Sequence, residues 1–356
     1  MCLWCETVRR RTVESGFRVD CELVLMSNNN FSDDDTVLAA LALAARAPSV
    51  HNSQPWRFCV GPHSIHLHAD TSRLLPYTDP DGRDLIVSCG VALHHCTVAL
   101  AALGWRAHVH RFPDPARPGQ LAALELHRGP PDAVDIAMAA AIPRRRTDRR
   151  PYSSWPVELG DIALIGARAA RLGVVVRRCE IDSQLRSLFA DAAWSRVADD
   201  RYLAELASWS GRYAATSGVP ARNTPAPERA APLPGRLFAG PALARSAQTS
   251  AADDNGVLVV LGTLGDDDVA RLRAGEATSA ALLTATSRGL ATCLVSEVLE
   301  VPETRMALRE TVFDHTHIPQ MLVRIGWPSV NADPLPATPR RPLTEMVSRL
   351  DGARFS

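Results

Sequence analysis

The chain has 356 residues, with 39 Lys plus Arg against 39 Asp plus Glu and a formal net charge of zero. That length suits one large or two intimate domains, and the balanced charge argues against a protein whose whole surface binds nucleic acid or anionic membrane, so any polyanion site must be local. Arginine dominates the basic residues and alanine and proline are abundant, as in the product of a GC-rich gene, so single arginines carry little weight.

Residues 1–25 show no clear periodicity and no basic region leading into an apolar core and cleavage site. "MSNNNFSDDDTVLAAL" from Met26 looks like a natural beginning, and residues 1–32 are expected to be a poorly ordered extension. Ser32 or Asp33 then caps a helix "DDTVLAALALAARA" that Pro48 closes. "WRFCV" and "SIHLHA", joined by "GPH", read as a hairpin. "DGRDLIVSCGVALHHCTVALAALGW" is a helix apolar nearly all round, hence central, ended by Gly104. Strands "RAHVHRF" and "LAALELH" complete a first half.

A second half begins near Ala133 with the helix "AVDIAMAAAI". It continues with a helix over 158–172, the strand "VVVRRC" and a helix over about 183–209. Residues 214–250 are rich in Pro, Gly, Ala and Arg and have no sustained period, which marks a lid or a disordered segment. Strand "GVLVVLGT", helix "DDDVARLRAGEATSAALLTATSRG", strand "ATCLVS", helix "PETRMALRETVF" and strand "QMLVRIGW" follow, and then an extended basic tail. Helices and strands mix without strict βαβ alternation or a glycine-rich phosphate loop, so the class is α+β. No apolar run reaches the ~18 residues of a membrane span, and a cytoplasmic protein is expected.

Few motifs carry chemistry by themselves. Eight scattered cysteines read as reduced, buried thiols, and Cys2-x-x-Cys5 lacks the second pair that structural zinc requires, so no metal is expected. His94, His95 and Cys96 are consecutive on a helix and point apart, which is poor ligand geometry. Ser153–Ser154 has no His and acid at a recognisable spacing, and no catalytic side chain stands out. "RRRTDRR" (144–150) offers guanidinium forks suited to phosphate or a solvated charge run, without the aromatic platform of a nucleic-acid site. "RAPSVHNSQPWRF" (46–58) is more polar than a surface turn needs, unless its side chains satisfy their own backbone.

Taken together, "RAPSVHNSQPWRF", "RRTDRRPY" (145–152), "SRGLATCLVSEVLEVPETR" (287–305), "PQMLVRIGW" (319–327) and "PATPRRPL" (336–343) resemble the nitroreductase-like flavoprotein superfamily. Within it they resemble the single-chain Acg family of NAD(P)H nitroreductases, over about residues 33–350. There two interlocked subunits hold FMN at their seam, one giving the A-P-S-x-x-N-x-Q-P-W loop and the other the arginine segment, a strand-end turn and a basic tail. Here the first motif occurs only in the first half and the others only in the second. The resemblance therefore implies two tandem halves, 33–132 and 133–356, that mimic the usual homodimer, with the lid at 214–250.

By position, Pro48, Ser49, Val50, His51 and Asn52 would line the flavin ring. Arg145, Thr147 and Arg149 would hold the ribityl phosphate, Leu294, Val295 and Ser296 would approach the ring, and Arg340 and Arg341 would close on the phosphate. The implied activity is hydride transfer from NAD(P)H through FMN to a small electron-poor acceptor such as a nitro compound or quinone. Nucleic-acid and membrane partners are not implied, and the internalised dimer suggests a monomer. The alternative is a non-catalytic protein that sequesters or senses flavin beneath its lid.

Overall fold

The computed structural model describes residues 34–211, 215–227, 231–244 and 254–355. The extension expected over 1–32, the caps at Ser32 and Asp33 and the Cys2–Cys5 pair lie outside them. In chain order the elements are α1 (Asp34–Ala44), β1 (Trp56–Val60), β2 (Ser64–Ala69), α2 (Arg83–Ala102), β3 (Trp105–Arg111), β4 (Gln120–Arg128) and α3 (Ala133–Ala141). There follow α4 (Leu159–Ala170), β5 (Val175–Cys179), α5 (Ser183–Val197), α6 (Asp200–Ser208), β6 (Val257–Thr263), α7 (Asp268–Ser287), β7 (Ala291–Val295), α8 (Pro302–Phe313), β8 (Ile318–Gly326) and β9 (Val347–Arg349). The α+β class is as read from the sequence.

Two elements differ from that reading. The helix over 183–209 is two helices, because the Asp199 carboxylate accepts from the amides of Arg201 and Tyr202 and starts a new N-terminus. In the tail, expected to be merely extended, Val347–Arg349 forms a strand parallel to β1. Its partner lies nearly 300 residues away, so no local pattern announces it.

The first sheet runs β3-β4-β2-β1-β9 and the second, read from its opposite edge, β7-β8-β6-β5. Within each four-strand set every pair is antiparallel. In each, a 20-residue helix, α2 or α7, joins the second strand in sequence to the third. The sets also reach into one another. β9 adds to β1 of the first sheet, while Thr147 bridges Thr292 of β7, with the Asp148 amide donating to the Thr292 carbonyl at 2.8 Å.

The two central helices pack directly together. α2 is long and apolar enough to cross a bilayer, but most of it is buried within this protein. Leu272 of α7 joins the core of the first sheet, and Val87 of α2 joins that of the second. At their crossing a Cβ on Gly90 would sit 2.1 Å from the Leu272 carbonyl oxygen, and one on Gly275 would sit 2.0 Å from that of Val87. Both glycines therefore permit backbone-to-backbone contact. Beside the crossing, Arg111 of β3 clamps the buried Glu276 of α7 with two bonds of 2.7 and 2.8 Å.

Replacing a mid-helix glycine by alanine ordinarily stabilises by about 0.5–1 kcal/mol. Gly166 of α4 has no atom within 4 Å of its virtual Cβ, and Gly166→Ala should show that gain. Gly90→Ala and Gly275→Ala should instead destabilise by about 1–3 kcal/mol as the helices are forced apart. Urea midpoints of the three variants check this, and a gain at all three positions would refute the close-crossing account.

Candidate functional site

The loop after α1 is shaped by backbone that few side chains tolerate. His51, Asn52 and Gln54 have φ of 48°, 55° and 53°, a region that disfavours most residues other than glycine but is less hostile to Asn and His. A local bond, Ser49 Oγ accepting from the Gln54 amide at 2.9 Å, helps hold the shape, and the Val50 amide donates to Ser88 Oγ of α2 at 3.3 Å. Long-range bonds do the rest. Asn52 Nδ2 donates to the carbonyls of Gly218 and Pro339 at 3.0 and 3.1 Å, while Gln54 Nε2 reaches the Thr216 carbonyl at 2.9 Å. Much of the loop's polarity thus fastens the proline-rich segment and the tail to the rest of the fold.

Those segments surround a cavity of about 240 Å³. Pro48, Ser49, Val50, His51 and Asn52 line it from the loop, and Arg145, Thr147 and Arg149 line it from the arm between α3 and α4. Leu294, Val295 and Ser296 line it from the end of β7, and Arg340 from the tail. Arg341 is not in the wall. Its amide donates to Gln54 Oε1 at 2.9 Å and its guanidinium lies 3.5 Å from Asp70, so it anchors the tail to the loop from behind.

Sequence reasoning missed other wall residues. Asp84, Val87, Ser88 and Val91 form one face of α2, a periodicity hidden because the helix is apolar all round. Arg236 and Phe238 come from the proline-rich segment and Arg324 from β8. Each arginine was one of many in an arginine-rich chain and had no motif around it. Pro225, Pro227, Pro232 and Pro234 also lie in the wall, so the proline-rich segment is part of the cavity's enclosure.

The electrostatics divide the cavity in two. Other buried or half-buried arginines have carboxylates: Arg324 of the wall with Asp254 at 2.7 Å, Arg111 with Glu276, and Arg150 with Asp148 at 2.8 Å. Arg145, Arg149 and Arg340, with Arg46 and Arg146 behind them, form no ion pair among the described residues. Arg340 donates only to carbonyls, including those of Ala45, Arg46 and Ala47 at 3.0, 2.9 and 3.1 Å beyond the end of α1. Arg149 donates to the Asn223 carbonyl at 3.2 Å and lies over the Phe238 ring. Arg145 Nε is buried without a partner.

Burial, followed by repulsion from Arg146, Arg46 and Arg149, pulls Arg145 down to about 10. Burial, followed by Arg145, Arg46 and Arg146, pulls Arg340 down to about 9. Both directions express unrelieved positive charge that a bound anion would cancel.

Around Arg236 and Asp84 the charges are matched. Arg236 pairs with the buried Glu300 and donates to Tyr202 Oη at 2.9 Å, Ser296 Oγ at 3.2 Å and His51 Nε2 at 3.3 Å. Asp84 pairs with Arg83, and burial raises its carboxyl. Burial and then Asp84 push Asp79 up to about 7. His94 and His95 share Ser279 Oγ at 2.7 and 2.8 Å, and Cys89 donates to the Pro55 carbonyl, so these groups are engaged in packing.

Such a cavity, lined by a polar loop and by arginines with no carboxylate partner among the described residues, has the chemistry to hold an anionic ligand. No family model matches the chain. It is 55% identical over 320 residues, 90% of this chain and 93% of the relative, to a Mycobacterium tuberculosis protein provisionally named as an NAD(P)H nitroreductase. It is 36% identical over 321 residues, 88% and 95% of the two chains, to the Mycobacterium tuberculosis protein provisionally named as the NAD(P)H nitroreductase Acg. The chain belongs to this Acg-type family of NAD(P)H nitroreductases.

Among solved structures, a nitroreductase with bound FMN from Bacteroides fragilis covers 55% of this chain and 90% of its own at 17% identity, with a TM-score of 0.36. Another with bound FMN, from Desulfitobacterium hafniense, covers 58% of this chain and 94% of its own at 14% identity, with a TM-score of 0.35.

If the arginine end is an anion site, inorganic phosphate should raise the melting temperature of the protein more than chloride does at equal ionic strength. Ligand at 100 times its Kd adds about 2.7 kcal/mol by mass action. Phosphate also strengthens apolar burial in general, so the decisive comparison is with Arg145→Met, in which the phosphate-specific part should vanish. An equal phosphate effect in parent and variant would rule the site out.

Proposed function

We propose that the chain is an FMN-dependent oxidoreductase that passes hydride from NAD(P)H to a small electron-poor acceptor such as a nitro compound or a quinone. The observation that carries this reading is the group of cavity arginines without carboxylate partners, whose chemistry fits the roughly doubly charged phosphate of FMN. When bound, FMN supplies the ring that takes up and releases hydride.

The chain's own residues bind, orient and enclose. Arg145, Arg149 and Arg340 hold the phosphate, and the Thr147 hydroxyl stands among them. Pro48 to Asn52 and the turn Leu294 to Ser296 would line the ring. Pro232, Leu233 and Phe238 keep water from it. We assign no nucleophile and no obligatory acid.

The split of motifs between two halves, 33–132 and 133–356, makes the chain a dimer folded into one polypeptide, a cytoplasmic monomer with one FMN. The shared strand order of the two sheets and the exchange of β9 and Thr147 support this. A second reading, a flavin-sequestering protein, is favoured by the proline-rich segment in the cavity wall, tied down through Arg236 to Glu300. Of the segment read as a lid over 214–250, residues 215–227 and 231–244 then act as that lid; 214, 228–230 and 245–250 lie outside the described residues.

Arg149→Ala should weaken FMN binding about 10- to 150-fold, the worth of a charge-assisted hydrogen bond of about 1.5–3 kcal/mol. Riboflavin, which lacks the phosphate, should lose little, and the exposed Arg171→Ala should leave both unchanged. Fluorescence titration measures all of these, and equal losses for the two ligands would take Arg149 off the phosphate.

Anaerobic NADPH separates the two functional readings. Bleaching of the loaded protein is expected, and it should accelerate when residues 218–235 are replaced by a short Gly/Ser linker. If neither form bleaches, the oxidoreductase reading is lost.

A further inference from the structure

We infer that His51 is a neutral imidazole protonated on Nδ1, a fixed hydrogen-bond donor toward the occupant of the cavity, and that Arg236 sets this tautomer. The inference rests on the flavin reading only for the identity of that occupant.

His51 lines the cavity and is 5% exposed, its ring edge-on to Phe238 with centroids 6.1 Å apart. Its Nε2 lies 3.2 Å from Thr78 Oγ1 and 3.3 Å from Arg236 Nη1. A guanidinium has only N–H groups to offer, so Nε2 must accept. In a neutral imidazole the proton then resides on Nδ1. Nδ1 has no hydrogen-bond partner among the described residues, and it is not one of the buried polar atoms sealed off from both partner and space. Its N–H is therefore free for a ligand.

A second proton on the ring is opposed from several elements. Arg236 of the proline-rich segment, Arg149 of the arm and Arg196 of α5 all repel it. Glu300, which would attract it, is already paired with Arg236. Burial is the largest influence, and with Arg236 it holds His51 down to about 3. The ring thus adds direction without adding charge to a cavity already rich in arginine. A donor fixed before its partner arrives needs no reorganisation. The flavin ring offers matching acceptors in its carbonyl oxygens and unprotonated nitrogens.

Histidine labelled with nitrogen-15 reads the tautomer directly, with the His51 signal assigned by its loss in His51→Asn. In the ligand-free protein it should report the Nδ1-protonated neutral form down to about pH 5. In Arg236→Met it should move toward tautomer exchange and toward the ordinary value of 6.5. An Nε2-protonated ring, or a parent whose His51 titrates near 6.5, would overturn the inference.

The ligand arm uses two variants. His51→Asn keeps an N–H at the Nδ1 position, whereas His51→Gln carries it to the Nε2 position. FMN affinity should stay within about 3-fold in the first and fall by about 3- to 10-fold in the second, one neutral hydrogen bond. Because φ at this position suits Asn better than Gln, melting curves must first show both variants folded. If Asn and Gln lose affinity equally, the Nδ1–H is not the donor. If the parent itself binds no FMN, the flavin reading fails, while the tautomer in the free protein still decides the inference.

Discussion

The contact between Gly90 and Gly275 sets the separation of α2 and α7, and with it the position of everything on either side. The atom that a Cβ on Gly275 would strike is the carbonyl oxygen of Val87, and Val87 is itself a wall residue of the cavity. One turn on either side of it along the same helix face are Asp84 and Val91, also in the wall. Spreading the helices would therefore move the cavity's inner wall by the same amount. Packed interiors transmit such shifts rather than absorb them. The crossing carries none of the cavity's arginines, yet it fixes the geometry of the charged site.

Charge is arranged around that frame with an economy that isolates one place. Glu300, Asp254, Glu276 and Asp148 each neutralise a buried or half-buried arginine, as the desolvation of an ion in a low-dielectric interior demands. Where Arg46, Arg145, Arg146, Arg149 and Arg340 gather, that rule is not followed. Carbonyls near the end of α1 supply partial negative charge to Arg340, a favourable end of the helix dipole for a cation, but no full charge. The remaining repulsion is a local destabilisation held in place by the fold. A bound anion would relieve it. Perturbed charges in a concave site are a general sign of function, and here the sign of the missing charge states what the site wants.

Much of this was legible in the sequence because it was local or periodic. The alternation in "WRFCV" and "SIHLHA" and the turn between them specify the β1–β2 hairpin, whose register pairs Phe58 with Leu67. The uninterrupted apolar character of α2 announced burial on all sides. The loop Pro48–Asn52, the arm Arg145–Arg149 and the turn Leu294–Ser296 were recognisable as motifs, and the structure brings them to one cavity.

What was not legible depends on partners distant in the chain. Gln54 and Asn52 look like ligand-binding amides, but their bonds to Thr216, Gly218 and Pro339 show them holding the enclosure together. Arg341 sits next to Arg340 in sequence yet faces Asp70 instead of the cavity, because successive residues of an extended segment point to opposite sides. The break between α5 and α6 turns on a single carboxylate, that of Asp199.

The loop at residues 48–54 ties these levels together. It places three non-glycine residues at positive φ, a conformation that persists only when its surroundings determine it. Those surroundings come from both halves of the chain: Ser88 of α2, the proline-rich segment through Thr216 and Gly218, and the tail through Pro339 and Arg341. Arg340 closes the circle by bonding back to Ala45, Arg46 and Ala47, immediately before the loop begins. The loop's geometry therefore depends on segments far apart in the chain, with the tail crossing to β1 and the arm crossing to β7. Ligand affinity at this cavity and the docking of the tail and the arm are therefore thermodynamically linked.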